Sequence, residues 1–135
     1  MNIGEQSIIK KIEEITRKLV KHTKRENKIA LSTAKGIELV DLKEIIRLES
    51  HNNYTTFWLE DKTKKVVSQS IGHFESALKL HYFFRIHQSH IINLNHLKSF
   101  LKNDGGKVVM SDGCTLEVSR RKKEEFLKHL ISECI

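Results

Sequence analysis

The sequence predicts a mostly β domain of short antiparallel sheets with two short helices, preceded by an amphipathic helix at the N-terminus. Three observations carry this. From Lys28 onward the chain breaks into short runs rich in Ile, Val, Leu, Thr and aromatics, separated by polar or glycine turns. An Asp-Gly pair at 112–113 sits between two such runs, where glycine's tolerance of positive φ lets a hairpin close. Apolar residues at helical spacing occur in only three places, at 5–24, 72–80 and after Ser119.

Taken in order, Ile8, Ile12, Ile15 and Leu19 recur at steps of four and three and form a narrow stripe on a helix from Glu5 to about Lys24. Its outer face carries Lys10, Lys11, Glu14, Arg17, Lys18 and Lys21, and the polar run His22 to Asn27 breaks the pattern. So short a seam is marginal alone, which leaves two readings: it packs on the domain that follows, or it pairs with a partner helix. The predicted division is a linker helix over residues 1–27 and a folded domain over 28–135. Within the latter, strands are predicted at Ile29 to Ser32, Ile37 to Asp41, Ile45 to Glu49, Thr55 to Leu59, Lys65 to Gln69, Phe84 to His87, Leu97 to Leu101, Lys107 to Met110 and Thr115 to Val118. A helix over Gly72 to Leu80 presents Phe74, Ala77 and Leu78. A C-terminal helix is predicted to begin after Ser119, with Ser119 as N-cap and Phe126, Leu127, Leu130 and Ile131 as its apolar face.

Composition narrows the function classes. At 135 residues the chain fits one domain, and 39% hydrophobic with 30% charged residues is ordinary for a globular protein. There is no apolar run long enough for a membrane span and no secretory pattern in the opening residues, so a cytoplasmic, non-membrane protein is expected. Cys114 and Cys134 share no metal spacing and suggest no disulfide framework. Twenty-four Lys and Arg against 17 Asp and Glu give +7, a balance suited to polyanions.

Three polar clusters stand out. Ser119-Arg120-Arg121-Lys122-Lys123 places four cations at the expected mouth of the last helix, where they oppose the macrodipole unless a phosphate sits among them; the alternative is a solvated face balanced by Glu124 and Glu125. In Phe83 to Leu94, apolar residues are interleaved with Arg85, His87, Gln88, Ser89 and His90; Gln pairs bidentately with adenine, and Ser and His bond phosphates or base edges. A packed strand with a polar turn fits those residues equally well. His51-Asn52-Asn53-Tyr54 reads as a hairpin loop or as a groove-contacting tip. No enzyme site assembles, and no cofactor is expected. His87 and His90 have no third ligand at a metal spacing, and in one continuous strand they would face opposite ways. Gly105-Gly106 lacks the Lys-Ser/Thr of a phosphate loop.

Together and in this order, FFRIHQSHIINLNHL at Phe83 to Leu97, DGGKVVMSDGCTLEVSRRKKEEFL at Asp104 to Leu127 and LESHNNY at Leu48 to Tyr54 resemble the LytTR (LytR/AgrA-type) DNA-binding domains of bacterial response regulators. The resemblance covers about Lys28 to Leu130. It implies an elongated, mostly β fold whose loops enter successive major grooves of duplex DNA, and a role in transcription regulation within two-component systems. It also implies repeated half-sites in promoters. Base-contacting positions of the family match Asn52, Asn53 and Tyr54, Gln88 and Arg120. His87, Ser89, Arg121 and Lys122 are then expected to hold phosphates. Gln88 stands where the family often has a basic residue or Asn, so the operator does not carry over. The N-terminal helix is then either the linker from a receiver domain or the element through which a stand-alone regulator forms a homodimer. The competing reading is a protein-interaction or signalling module that docks through the basic N-terminal helix. An RNA-binding β domain would want stacking aromatics, for which only Tyr54, Trp58 and Tyr82 are candidates.

Overall fold

The computed structural model describes residues 3–25 and 27–135, with side chains over 4–17 and 27–135. Helix α1 spans Ile3–Arg25. Ten strands follow: β1 (Lys28–Thr33), β2 (Gly36–Asp41), β3 (Ile45–His51), β4 (Tyr54–Leu59), β5 (Lys64–Val67), β6 (Phe83–His87), β7 (His90–Asn93), β8 (Leu97–Leu101), β9 (Lys107–Met110) and β10 (Thr115–Glu117). Helix α2 (Ile71–Lys79) lies between β5 and β6, and α3 (Lys123–Glu133) follows β10. Every strand pairing is antiparallel. Strands β1 and β2 form one sheet, β5-β4-β3-β7-β6 a second and β10-β9-β8 a third.

The predicted strands are present with ends shifted by a residue or two, and one strand is additional. Strand β7 escapes the alternation rule because Ile91 and Ile92 are both buried, on opposite faces of the central sheet. That sheet separates two cores. Ile45, Leu48, Phe57, Phe83 and Ile91 face α2 and the inner side of the β1-β2 hairpin, packing with Phe74, Leu78, Leu31 and Val40. Their neighbours Ile46, Phe84 and Ile92 face the third sheet and α3, packing with Val108, Met110 and Phe126. Asn93 is buried between the strands and satisfied: its amide donates to the Ile45 carbonyl at 2.9 Å, and its Oδ1 accepts from the Asn95 N–H at 3.0 Å.

The β9-β10 hairpin closes as predicted, with Gly113 at φ 87° donating its N–H to the Met110 carbonyl at 2.9 Å. The C-terminal helix begins later than the sequence suggests. The Ser119 carbonyl accepts from the N–H groups of both Lys122 and Lys123 at 3.0 Å, folding 119–122 into a tight turn, and the first helical residue is Lys123. Ser119 Oγ still accepts from the Lys122 N–H at 3.3 Å, so it caps that turn and not α3. Three cations therefore precede the helix, while Glu124 and Glu125 occupy its first turn, where the dipole favours them.

Among the described residues, Ile8, Ile12 and Ile15 of the α1 stripe do not pack on the rest of the chain. Ile8, Ile12 and Ile15 are 60%, 57% and 58% exposed, and the reading in which they cover the domain is overturned. Leu19, Lys18 and Lys21, with the polar run 22–26, lie outside the residues whose side chains are described.

Candidate nucleic-acid interface

Three turns carry the predicted site residues. In the first, His51 pairs with Tyr54 across a two-residue turn of Asn52 and Asn53. Asn52 adopts φ 56°, a left-handed conformation Asn tolerates better than most residues. Asn52, Asn53 and Tyr54 are all exposed. In the second, His87 pairs with His90 across Gln88 and Ser89, just after a register irregularity between Arg85 and His87 that swings the turn out of the regular ladder. Gln88 is exposed; His87 and Ser89 are half-buried. The two histidines thus sit on separate strands with ring centroids 5.3 Å apart, which corrects the expectation that they face opposite ways. Among the described residues no group of three metal-ligating side chains forms around them.

The third turn is Ser119 to Lys122. Its Ser119 N–H donates to the Ile86 carbonyl at 2.8 Å, tying it to β6. Arg120 and Arg121 are exposed and Lys122 half-buried. Lys122 lies 3.8 Å from Glu125, whereas Arg120 and Arg121 make no ion pair among the described residues.

Backbone pairing brings the turns to one end of the central sheet. Strand β3 pairs with β7 through Glu49 and His90, and the Ser50 N–H donates to the Ser89 carbonyl at 2.9 Å, so the first two turns are neighbours. The second and third face each other across an open cleft of about 400 Å³, lined by His87, Gln88, Ser119, Arg121 and Lys122 with Glu75 and Arg85. The His87 ring is oriented locally: its Nδ1 accepts from the Ser89 N–H at 3.0 Å, leaving Nε2 as the proton-bearing nitrogen of the neutral ring. That nitrogen is a donor suited to an anionic or carbonyl acceptor.

Behind the turns lies a polar cluster that sequence reasoning missed. Arg47, only 8% exposed, bonds Glu49 at 3.1 Å and stacks over Trp58 with its guanidinium carbon 5.0 Å from the ring centroid. The Trp58 indole N–H also donates to Glu49, at 3.2 Å. Burial pushes the Glu49 carboxyl up, but the Arg47 hydrogen bond and charge and the Trp58 bond outweigh it and hold it below the usual carboxylate range. His90 is held below the ordinary histidine value, chiefly by burial; the nearby Glu49 charge opposes this, and His87 and Arg47 reinforce it. Glu75 was missed as a site residue, and Arg85, named in the second polar cluster, was given no role there. An arginine between Phe84 and Ile86 in an apolar strand was the available signal, since a charge there needs a partner.

Comparison with known proteins gives the family of this fold. The family model described as the LytTr DNA-binding domain matches residues 35–131. The chain belongs to the LytTR family. The solved LytTr DNA-binding domain of a methyl-accepting/DNA response regulator from Bacillus cereus superposes with a TM-score of 0.67 at 26% identity, over 76% of this chain and 94% of that one. Sensory transduction protein LytT of Bacillus subtilis is 29% identical over 93% of this chain and 54% of its own length. Transcriptional regulatory protein LytR of Staphylococcus aureus is 29% identical over 67% of the chain and 37% of its own length. The heme-containing CO-sensing transcriptional regulator RcoM 2 of Paraburkholderia xenovorans is also 29% identical, over 77% and 39%. This LytTR chain therefore spans between about a third and a half of those relatives. No helix among the described residues is long and apolar enough to cross a membrane.

Proposed function

We propose that this LytTR domain binds duplex DNA sequence-specifically, as the output module of a bacterial transcriptional regulator of the response-regulator type working in the cytoplasm. The observation that carries the reading is the convergence of three polar turns at one end of the sheet, one of them bearing two arginines that make no ion pair among the described residues. In this reading Asn52, Asn53, Tyr54, Gln88 and Arg120 meet base edges, Arg120 by a bidentate pair with guanine O6 and N7. His87, Ser89, Arg121 and Lys122 hold phosphates and set the register. The division of the chain into a linker helix over 1–27 and a DNA-binding domain over 28–135 belongs to the same proposal.

The exposed Ile8, Ile12 and Ile15 support pairing of α1 with a second copy, which would set two domains on repeated half-sites. They equally favour a second reading, in which α1 docks on a different protein. Selection of bound duplexes from a random library tests the main proposal. A sharply enriched repeat is expected and gives the half-site spacing directly. Flat enrichment, with binding that survives competitor DNA and high salt, would favour docking through α1.

A further inference from the structure

We infer that Arg85, braced by Glu75 of α2, is the positioning residue that sets Gln88 and thereby determines which base pair this domain prefers at the second turn; the inference rests on the DNA-reading function proposed above. A turn that projects into a groove has no neighbouring strand to hold its backbone, so its carbonyls need other donors if the side chain between them is to keep one aim. All three carbonyls of this turn have one. Arg85 Nη2 donates to the Gln88 carbonyl at 2.6 Å, and Arg85 Nε reaches the His87 carbonyl at 3.4 Å. The Ser50 N–H takes the Ser89 carbonyl at 2.9 Å. The shortest of these contacts is made to the residue proposed to read.

The guanidinium is itself fixed. Its Nη1 lies 3.3 Å from Glu75 Oε2. Glu75 stands on a helix anchored in the first core by Ile71, Phe74 and Leu78, while Arg85 is flanked by Phe84 and Ile86, both buried in the second. The turn is therefore braced against both cores through one side chain. A planar guanidinium is suited to this, because its donors form a rigid fork; a lysine in the same place offers one point charge.

Glu75 sharpens the argument. A carboxylate lining the same cleft as Arg121 and Lys122 repels phosphates, so on electrostatic grounds alone it weakens DNA binding. A bidentate Gln–adenine pair, by contrast, discriminates only while both of its hydrogen bonds are made, and both depend on where the Gln88 backbone sits. The two effects have opposite signs, and substitution separates them.

The test uses the full chain and a duplex selected from the random library, with single base-pair variants of it, titrated over a salt series. Gln88→Ala first identifies the base pair read at this turn. Arg85→Lys and Glu75→Ala are then expected to cut the preference at that base pair about tenfold while leaving the other positions unchanged. Both should keep the wild-type melting temperature, Arg85→Lys should also keep the salt slope, and Glu75→Ala should bind nonspecific duplex more tightly than wild type. The double variant should lose no more preference than either single one, because both act through one brace. Undiminished preference at the Gln88 base pair in Arg85→Lys and Glu75→Ala would overturn the inference. So would an Arg85→Met variant that weakens all sequences alike and flattens the salt slope by about one, the mark of a phosphate contact. Absence of any sequence preference in the wild type would instead sink the proposed function itself.

Discussion

An arginine that reads a base and a lysine that holds a phosphate fail differently when removed. Arg120 is exposed and makes no ion pair among the described residues. Arg120→Ala is expected to cost about 1 to 3 kcal/mol of specific binding and to relax preference at one base pair, whereas Lys122→Ala should weaken all sequences alike and flatten the salt slope by about one. Mobility-shift titrations against a selected duplex and its variants check both. The Lys122–Glu125 contact is too exposed to matter for folding, so the melting temperature should not move. His90 carries a prediction of another kind. Its folded-state value lies below the ordinary 6.5, so between the two the unfolded chain binds the extra proton. Its contribution to stability is complete above about pH 6.5 and is lost as pH falls through the lowered value. Urea melts from pH 7.5 to 5 should show stability declining, and His90→Gln should reduce that decline. Residue chemistry of this kind was only half legible. Gln88, Arg120 and the Asn52-Asn53 turn stood out as dense polar runs. Arg47 did not, and Arg85 stood in such a run without a role, because what defines both is a partner: Glu75 is ten residues from Arg85, and Trp58 meets Arg47 only through strand pairing.

At the scale of the elements, the β8-β9 connection holds a crowded glycine. Gly106 adopts φ 104°, and a Cβ there would lie 2.9 Å from Phe100 Cζ and 3.2 Å from Cε2. Phe100 packs against Phe126, whose side chain is fully buried at the base of α3. Gly106→Ala therefore combines backbone strain with overpacking and should cost about 1 to 3 kcal/mol, read as a lower midpoint in chemical denaturation. Gly105→Ala next door meets no atom within 4 Å and bears only the strain of its φ of 86°, so it should cost less. Where the sequence misjudged an element, the cause was local. Strand β7 was overlooked because adjacent isoleucines feed opposite cores, and α3 was started early because Ser119, a good capping residue, caps a preceding turn instead. The α1 helix itself was clear from its period, but which surface its stripe would meet was not, since periodicity describes one partner only.

At the scale of the molecule, the central sheet serves both cores and couples their unfolding. Ile45 and Ile46, Phe83 and Phe84, and Ile91 and Ile92 are neighbours in sequence yet belong to different cores. Neither core can be dissolved without displacing strands that line the other. Thermal or urea unfolding should thus show coincident transitions by the fluorescence of Trp58, beside the first core, and by nuclear magnetic resonance signals of Met110 and Phe126 in the second; separated midpoints would contradict a shared sheet. The fold class was legible because strand runs and turn residues are local signals. The allocation of side chains between two cores was not, because it follows from sheet pairing over long separations. The three turns have a different relation to those cores: Asn52, Asn53, Gln88, Arg120 and Arg121 are all exposed and contribute no core side chain. Apart from Asn52, whose positive φ limits what can replace it, substitutions there escape most of the stability cost that restricts change elsewhere, since surface positions away from packing typically shift stability by about 0.5 kcal/mol or less. If these turns read DNA as proposed, the sequence they recognise can consequently drift and diverge in evolution while the scaffold stays still.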